Sequence, residues 1–599
     1  MHRSGPNYDV DPRLPQPPGT AVWVGADAFA ELAATAGTLE RPVVVVDCYP
    51  GVDEAAVLEA LSAHFDDVIS VPEAAARPID EIDALIARNI GTDRVFGYVT
   101  KHQLADLYDV ALLAGLRDRL TARTGAVVLV GWGAALAAED ADLIVLADLP
   151  RWEIQQRMRS GMPNWRRENR DEDILRKYKR GFFVDWRIAD RHKTTLYDRL
   201  DYFLDTTTSV EDARLITGDA FRAALDGAVR RPFRVVPYFD PGVWGGHWMQ
   251  ERLGINGDVP NYAWAFDCVP EENSLALDVG GIRVEMPAAN LVLHRPVELL
   301  GPGTFAQFGA DFPIRFDFLD TMGGGNLSLQ VHPLTGYIQD RFGMKYTQDE
   351  SYYMLDVGEG GGVYLGIKPG VDPDAMFEDL ERSNRGERSF PAEKYVNRFP
   401  ATKHDHVLIP AGTVHCSTRN TMVLEISSTA FLFTFKMWDW DRVGLDGKPR
   451  PTHLEHARRN VQWERDTEWV TRNLINRVEV LEEGDGYRVE QTGLHELEFI
   501  TTLRHWFSVP TSRHTASTVH VLNLVEGAAA VVESPDGAFS PFEVHYAETF
   551  IVPATVGPYV VRPADGVSRC ATMTAFVRGT EDPHGVAGAG LRCTTRAQE

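Results

Sequence analysis

The run Pro42-Val43-Val44-Val45-Val46-Asp47 is apolar and β-branched at every interior position, a pattern a strand carries only when both of its faces are covered. A turn and an amphipathic stretch over residues 52–63 follow it, which predicts a strand feeding a helix. Ala126-Val127-Val128-Leu129-Val130 and Leu143-Ile144-Val145-Leu146-Ala147-Asp148 repeat the theme, so residues 21–230 are expected to form a parallel α/β sheet. From about Arg231 the texture changes to short strands with frequent Gly and Pro, the mark of an all-β region. Ser274-Leu275-Ala276-Leu277-Asp278-Val279, Leu291-Val292-Leu293-His294, Tyr352-Tyr353-Met354-Leu355-Asp356-Val357 and Val407-Leu408-Ile409-Pro410 read as strands there. A helical insertion is expected over 372–399 and a helix near Thr452, with strands resuming at 518–525, 528–532, 550–553 and 559–562.

The chain has 599 residues, enough for roughly two to four domains. The expected division is an N-terminal arm over 1–20, the α/β region over 21–230, a first β-barrel unit over 231–465 and a second over 466–599. The arm is polar and Pro-rich and is expected to be loose. It lacks the basic start and apolar core of a signal peptide, and no apolar run approaches the ~20 residues that span a membrane. A cytoplasmic protein without membrane partners is the resulting expectation. A net charge of −26 disfavours nonspecific nucleic-acid binding. Five cysteines, none in a CxxC pair, argue against a disulfide framework or a thiolate metal site. Cys416, although next to His415, reads as a packed thiol.

Residues 151–193 are strongly basic, with Arg157, Arg159, Arg166, Arg167, Arg170, Arg176, Lys177, Lys179 and Arg180 among them. Interleaved acids favour a solvated helix face, with an anion site as the alternative. A sheet ending in such a stretch resembles a nucleoside- or nucleotide-kinase-type domain. The phosphate cradle GxxxxGK[ST] is nevertheless absent, since Gly-Lys occurs only at Gly447-Lys448, before a proline. The region therefore reads as a noncatalytic relative of such domains or an unrelated α/β module.

Metal-ligand residue types gather in the first β unit. Gln330 and His332 alternate on one face of Leu327-Ser328-Leu329-Gln330-Val331-His332-Pro333, Glu350 precedes Ser351-Tyr352-Tyr353, and His415 ends Pro410-Ala411-Gly412-Thr413-Val414-His415. Two imidazoles, a carboxylate and an amide oxygen suit zinc, with manganese or iron sharing such ligands. His404 and His406 read as solvated residues at a strand end. The second unit has His505, His514 and His520 but no comparable set, so a structural, covering or dimerising role is expected of it.

These motifs resemble the class I mannose-6-phosphate isomerases, zinc-dependent enzymes of the cupin (jelly-roll) superfamily, over roughly residues 233–587. Pro241-Gly242-Val243-Trp244-Gly245-Gly246 resembles the family's opening, and the motifs around Gln330, Glu350 and His415 follow in its order. Asp439-Trp440-Asp441-Arg442 with His453-Leu454-Glu455-His456-Ala457 resembles its closing segment, and Thr549-Phe550-Ile551-Val552-Pro553-Ala554 a strand of its second cupin. The resemblance implies two cupin barrels, zinc on Gln330, His332, Glu350 and His415, and Glu425 as a site-facing acid for proton transfer or hydroxyl binding. It places Ser328 and Arg442 near the substrate.

The departures are specific. Lys436 stands where the family has an active-site arginine, which keeps the charge and loses the planar fork. Asp317 and Gln348 stand where two lysines help hold the substrate phosphate, and Lys345 or Arg341 are candidates to compensate. The implied function is a metal-dependent aldose–ketose isomerase of the mannose-6-phosphate isomerase type, moving a proton between C1 and C2 of an open-chain sugar. The alternatives are an isomerase for an unphosphorylated or differently substituted sugar, and a metal-containing sugar-binding or regulatory protein. A bifunctional enzyme whose N-terminal region transfers phosphate is a third, against which the missing phosphate loop argues.

Overall fold

A computed structural model of the protein describes residues 7–428, 432–444, 450–493 and 495–580. The Gly447-Lys448 pair, the first residues of the arm and Cys593 lie outside the described residues.

The valine run forms the strand Val43–Cys48 at the centre of a mixed sheet, with Val44, Val45 and Val46 sealed from solvent. Val127–Gly131 and then Val68–Ser70 lie parallel to one side of it, with Leu143–Asp148 and Tyr202–Asp205 parallel to the other. Arg214–Thr217 and Trp23–Val24 close that edge antiparallel. The expected helix forms as Glu54–Ser62, with Asp53 capping it by accepting from the Ala56 amide. At the carboxyl ends of the central strands the chain's own acids already occupy the backbone amides. Asp47 accepts from the Ala135 amide at 2.9 Å, and Glu54, pushed up to about 7 by burial, accepts from the Trp132 amide at 2.9 Å.

The basic stretch is helical in large part, as Arg151–Arg159, Ile174–Arg180 and Trp186–Lys193, but it is not a solvated face. Arg151, Lys177, Lys179, Arg180 and Lys193 are all buried. Lys177 donates to the Met158, Met162 and Arg170 carbonyls, and Arg157 donates to the Gly51, Thr206 and Thr207 carbonyls. Arg151 pairs with Asp190, Lys193 with Asp148, and Arg180 with Asp83 and Asp185. Composition shows the charges but not the carbonyls that satisfy them, and this is why the solvated reading fails.

The all-β region holds two pairs of facing sheets. In the first pair a six-stranded sheet runs in the order His406–Ile409, Glu350–Val357, Thr421–Ser427, Arg315–Asp320, Trp264–Cys268, Tyr238–Asp240. Its partner runs Val396–Pro400, Gly362–Ile367, His415–Ser417, Leu329–Val331, Phe435–Trp438. The second pair combines a six-stranded sheet containing Ile500–Phe507, Cys570–Val577 and His520–Glu526 with a four-stranded sheet containing Pro558–Pro563 and Ala529–Glu533. The helices Pro373–Asn384 and Ala392–Tyr395 form within the expected insertion, whose last residues become an edge strand instead.

Further expectations are corrected. Leu291-Val292-Leu293-His294 belongs to the helix Ala289–His294, because a short apolar run does not distinguish the two periods. His406 is sealed from solvent, with burial holding its imidazole near a pKa of about 3, and His404 is half-buried against Tyr353. The arm is docked and not loose. Arg13–Pro15 adds in parallel to Ser274–Val279, Tyr8 donates to Asp267, and the Asp9 amide donates to Glu548 at 2.6 Å. Tyr8 and Leu14 give the arm buried apolar surface, which repays its ordering.

The α/β region also packs directly on the first β pair. Phe96 lies 4.9 Å from His453, 5.3 Å from Phe435 and 6.1 Å from Phe433 between ring centres, and Phe182 and Phe183 reach Phe433 from the same region.

Candidate metal centre and substrate cavity

The two facing sheets bring the expected ligands together. Gln330 and His415 are register partners on neighbouring strands of the five-stranded sheet, and His332 follows Gln330 on the same face. Glu350 opens a strand of the opposite sheet and points across the gap. His332 Nε2 stands 3.0 Å from Glu350 Oε2, and His415 Nε2 stands 2.7 Å from Glu350 Oε1. The three ligand atoms lie within 4.8 Å of one another, and the Gln330 amide lies 3.2 Å from His415 Nε2. All four residues are buried.

The other ring nitrogens decide what this cluster wants. His332 Nδ1 lies 3.1 Å from the Phe433 carbonyl, and His415 Nδ1 lies 2.9 Å from the Thr413 carbonyl. A carbonyl only accepts, so each Nδ1 carries a proton, and with a metal bound each ring would turn its Nε2 lone pair toward the ion beside the Glu350 carboxylate. Contacts this short between imidazole nitrogens and a buried carboxylate need positive charge, supplied by a proton on each Nε2 or by a metal ion held between them. His332 Nε2 and Glu350 Oε1 are also buried without a hydrogen-bond partner among the described residues. The donor set therefore fits a divalent metal, with Gln330 able to turn its amide oxygen inward as a further ligand. Burial acts to raise the Glu350 carboxyl, and the two imidazoles outweigh it and leave it below the usual range. Burial likewise opposes charge on His332, and Glu350 outweighs it and raises the imidazole.

A cavity of about 410 Å³ opens from Glu350 and Gln330, within the range of small-molecule sites. Asp317 and Glu425, register partners on adjacent strands, line it beside the ligands. Burial pushes Asp317 up to about 8 and raises Glu425 further above its usual value, with Glu350 adding to both. Lys436 also lines the cavity; burial lowers it to about 7, and it makes no ion pair among the described residues. Gln348 lines the cavity and donates to Glu350 Oε2 at 3.1 Å. Ser328 lines it too, donating to Asp439 at 3.0 Å. Arg442 sits behind that contact, donating to the same Asp439 oxygen at 2.5 Å, and is not part of the lining. Lys345 is exposed and paired with Asp311 at 2.8 Å, and Arg341 is exposed beside Asp340, so neither places a charge in this cavity. Cys416 is buried as expected of a packed thiol.

The sequence reading missed the part of the lining that comes from the α/β region, including Arg94, Trp152, Gln155 and Arg159. Only the Arg-rich composition around Arg159 hinted at it. Every arginine of the lining is paired: Arg94 with Asp173, Arg159 with Asp240 and Arg450 with Asp439. Several lining atoms have no partner among the described residues, namely Trp244 Nε1, Asp317 Oδ1, Gln348 Oε1 and His453 Nε2. In the second β pair, His520 Nδ1 meets the Tyr559 hydroxyl at 2.9 Å, and no second metal cluster of His, Cys, Asp and Glu occurs among the described residues.

Residues 25–230 match a family model described as a domain of unknown function, DUF8485. Mannose-6-phosphate isomerase of Streptococcus mutans is 24% identical over 220 residues, 36% of this chain and 63% of that protein. The Bacillus subtilis protein named "putative mannose-6-phosphate isomerase YvyI" is 23% identical over 231 residues, 38% of this chain and 66% of its own length. A solved mannose 6-phosphate isomerase from Bacillus subtilis superposes with a TM-score of 0.46 at 17% identity, covering 57% of this chain and 99% of that one. The chain thus spans less than two-thirds of the length of these two curated relatives, at 63% and 66%. Over 36–38% of its own length it is a homologue of proteins named as mannose-6-phosphate isomerases.

Proposed function

We propose that the protein is a divalent-metal-dependent aldose–ketose isomerase whose substrate is an unphosphorylated sugar. The observation that carries this reading is the placing of the Asp317–Glu425 carboxyl pair in one cavity with Gln330 and with Glu350, the carboxylate that the His332 and His415 rings meet. The homologues named as sugar-phosphate isomerases support the reaction class.

A metal held by Gln330, His332, Glu350 and His415, zinc by the character of these donors, would supply Lewis acidity toward the sugar's carbonyl oxygen. The chain's own groups handle the protons. One carboxyl of the Asp317–Glu425 pair, which burial otherwise holds protonated, ionises more readily beside a bound divalent cation, and that carboxylate takes the C2 proton of the open-chain aldose. The C2–H electron pair becomes the C1=C2 bond while the carbonyl oxygen gains a proton. Lys436, on the cavity wall beside Gln330, donates that oxygen proton and recovers one from the C2 hydroxyl as the new carbonyl forms. The carboxyl then returns its proton to C1, so the chain ends unchanged.

Substrate charge follows from the lining. A phosphate dianion needs uncommitted cations; the arginines of this cavity are committed to carboxylates, burial lowers Lys436 toward its neutral form, and Asp317 brings no cation to the reacting end. A neutral polyol instead offers hydroxyls to the unpartnered Trp244, Asp317, Gln348 and His453 atoms. Mannose 6-phosphate is the second reading, favoured by the relatives' names and by Lys436. Turnover of mannose and of mannose 6-phosphate by the zinc-loaded protein separates them, because preference for the ester would overturn the first reading.

A further inference from the structure

We infer that the cavity holds a second sugar-binding subsite, built jointly by the α/β region and the six-stranded sheet, which takes the distal ring of a reducing disaccharide. The inference rests on the isomerase reading for the reducing end and extends it to the size of the substrate.

One register line of the sheet carries it. Tyr238, Phe266, Asp317 and Glu425 are successive cross-strand partners, and all four side chains line the cavity. At the ~4.8 Å between neighbouring strands, Phe266 and Tyr238 lie roughly 5 and 10 Å from Asp317. That is the reach of a second ring when the first has its C1 and C2 at the carboxyl pair.

The far end of the line has a different chemistry from the near end. Tyr238 stacks on Phe266 with centres 4.6 Å apart, and Trp152 from the helix Arg151–Arg159 stacks on Tyr238 at 3.9 Å. Both faces of Tyr238 are covered in this three-ring column and Arg159 lies over the Trp152 ring, so the column forms a rigid wall of ring edges against which the C–H surface of a sugar would pack. Planar polar groups surround it. Arg159 makes two hydrogen bonds to Asp240, at 2.8 and 2.9 Å, and Gln155 donates to Glu272 at 2.7 Å. The Arg159–Asp240 pair and the Gln155 amide offer donors and acceptors to ring hydroxyls. Because the arginine is already neutralised, this end favours an uncharged ring over an ionised group. A single hexose leaves the column uncovered, whereas two linked rings span the line from Glu425 to Trp152.

Titration calorimetry on the zinc-loaded full chain tests this with mannose and glucose beside the 1,4-linked disaccharide of each, for wild type, Trp152→Ala, Trp152→Phe and Arg159→Ala. The expected result is a wild-type preference of tenfold or more for one disaccharide over its monosaccharide. Trp152→Ala and Arg159→Ala should collapse that ratio toward one, with metal content and melting temperature reporting the fold, and Trp152→Phe should keep most of it. Equal wild-type affinities for the one-ring and two-ring sugars would overturn the subsite, as would a ratio that survives both truncations. Calorimetry reads binding without turnover. A disaccharide preference without isomerisation would therefore sink the isomerase reading alone, and hexose turnover without the preference would sink the subsite alone.

Discussion

His332 and Glu350 face each other across the two sheets of the first β pair with Nε2 and Oε2 3.0 Å apart, both side chains sealed from solvent. The Phe433 carbonyl holds the ring's other nitrogen, an arrangement that leaves Nε2 and the carboxylate able to share a divalent metal ion. Zinc binding should consequently stabilise the fold. Saturation at about a hundred times Kd contributes ~2.7 kcal/mol, several degrees of melting temperature. Thermal unfolding with chelator and with added zinc checks it, and His332→Ala should lose the zinc-dependent increment.

Asp317 stands near the reacting end where it brings no cation, and burial holds its carboxyl largely protonated near neutral pH. Asp317→Lys should raise the ratio of kcat/KM for mannose 6-phosphate over mannose by tenfold or more, since a charge-assisted contact contributes ~1.5–3 kcal/mol. Asp317→Asn, which removes the acid without adding a cation, should lower mannose turnover with a smaller change in the ratio. Steady-state kinetics on both sugars distinguishes the two outcomes. An unchanged ratio in Asp317→Lys would remove Asp317 as a specificity determinant.

Phe96 couples the α/β region to the metal centre, because it packs on Phe433, whose carbonyl orients His332. Truncating a buried phenylalanine costs about 3–5 kcal/mol. Phe96→Ala should destabilise the protein by that order and also weaken zinc affinity, by about tenfold, through the loosened carbonyl. Denaturation and competition with a chromophoric chelator measure the two effects separately, and intact affinity would uncouple Phe96 from the ligand.

Buried histidines give the stability a pH dependence of definite sign. Burial holds His406 and His520 near a pKa of about 3, assisted by Arg504 and Arg513 respectively. Unfolded, each takes up a proton near 6.5, so the unfolded state binds more protons as pH falls below that value. Their contribution is fully present above pH 6.5 and lost progressively toward pH 3, on the order of 4–5 kcal/mol for each. Between pH 7 and pH 5 the urea midpoint of wild type should therefore fall relative to that of His406→Leu, since raised carboxyls such as Glu54 and Asp205 act alike on both proteins and with the opposite sign. A slope unchanged by that variant would contradict the assignment.

The legible part of the fold is the part written in local pattern. Val43 to Asp47 announced a strand covered on both faces, and alternation around Gln330 and His332 put two ligand types on one face. Glu350 and His415 needed their motifs, since nothing local says that two sheets bring them within hydrogen-bond reach. Leu291 to His294 was misread because four apolar residues suit either period. The basic stretch was misread because burial of Lys177 depends on carbonyls at Met158, Met162 and Arg170, which composition does not display. Trp152 and Arg159 escaped for the same reason: they reach the cavity only through the packing of one region on another.

The central claim is most directly tested by isomerisation of mannose and of mannose 6-phosphate by zinc-reconstituted protein, with His332→Ala as control. The account predicts turnover of the free sugar, with kcat/KM at least tenfold above that for the phosphate ester, abolished in the variant. Preference for the ester, or metal binding with no turnover of either sugar, would contradict it.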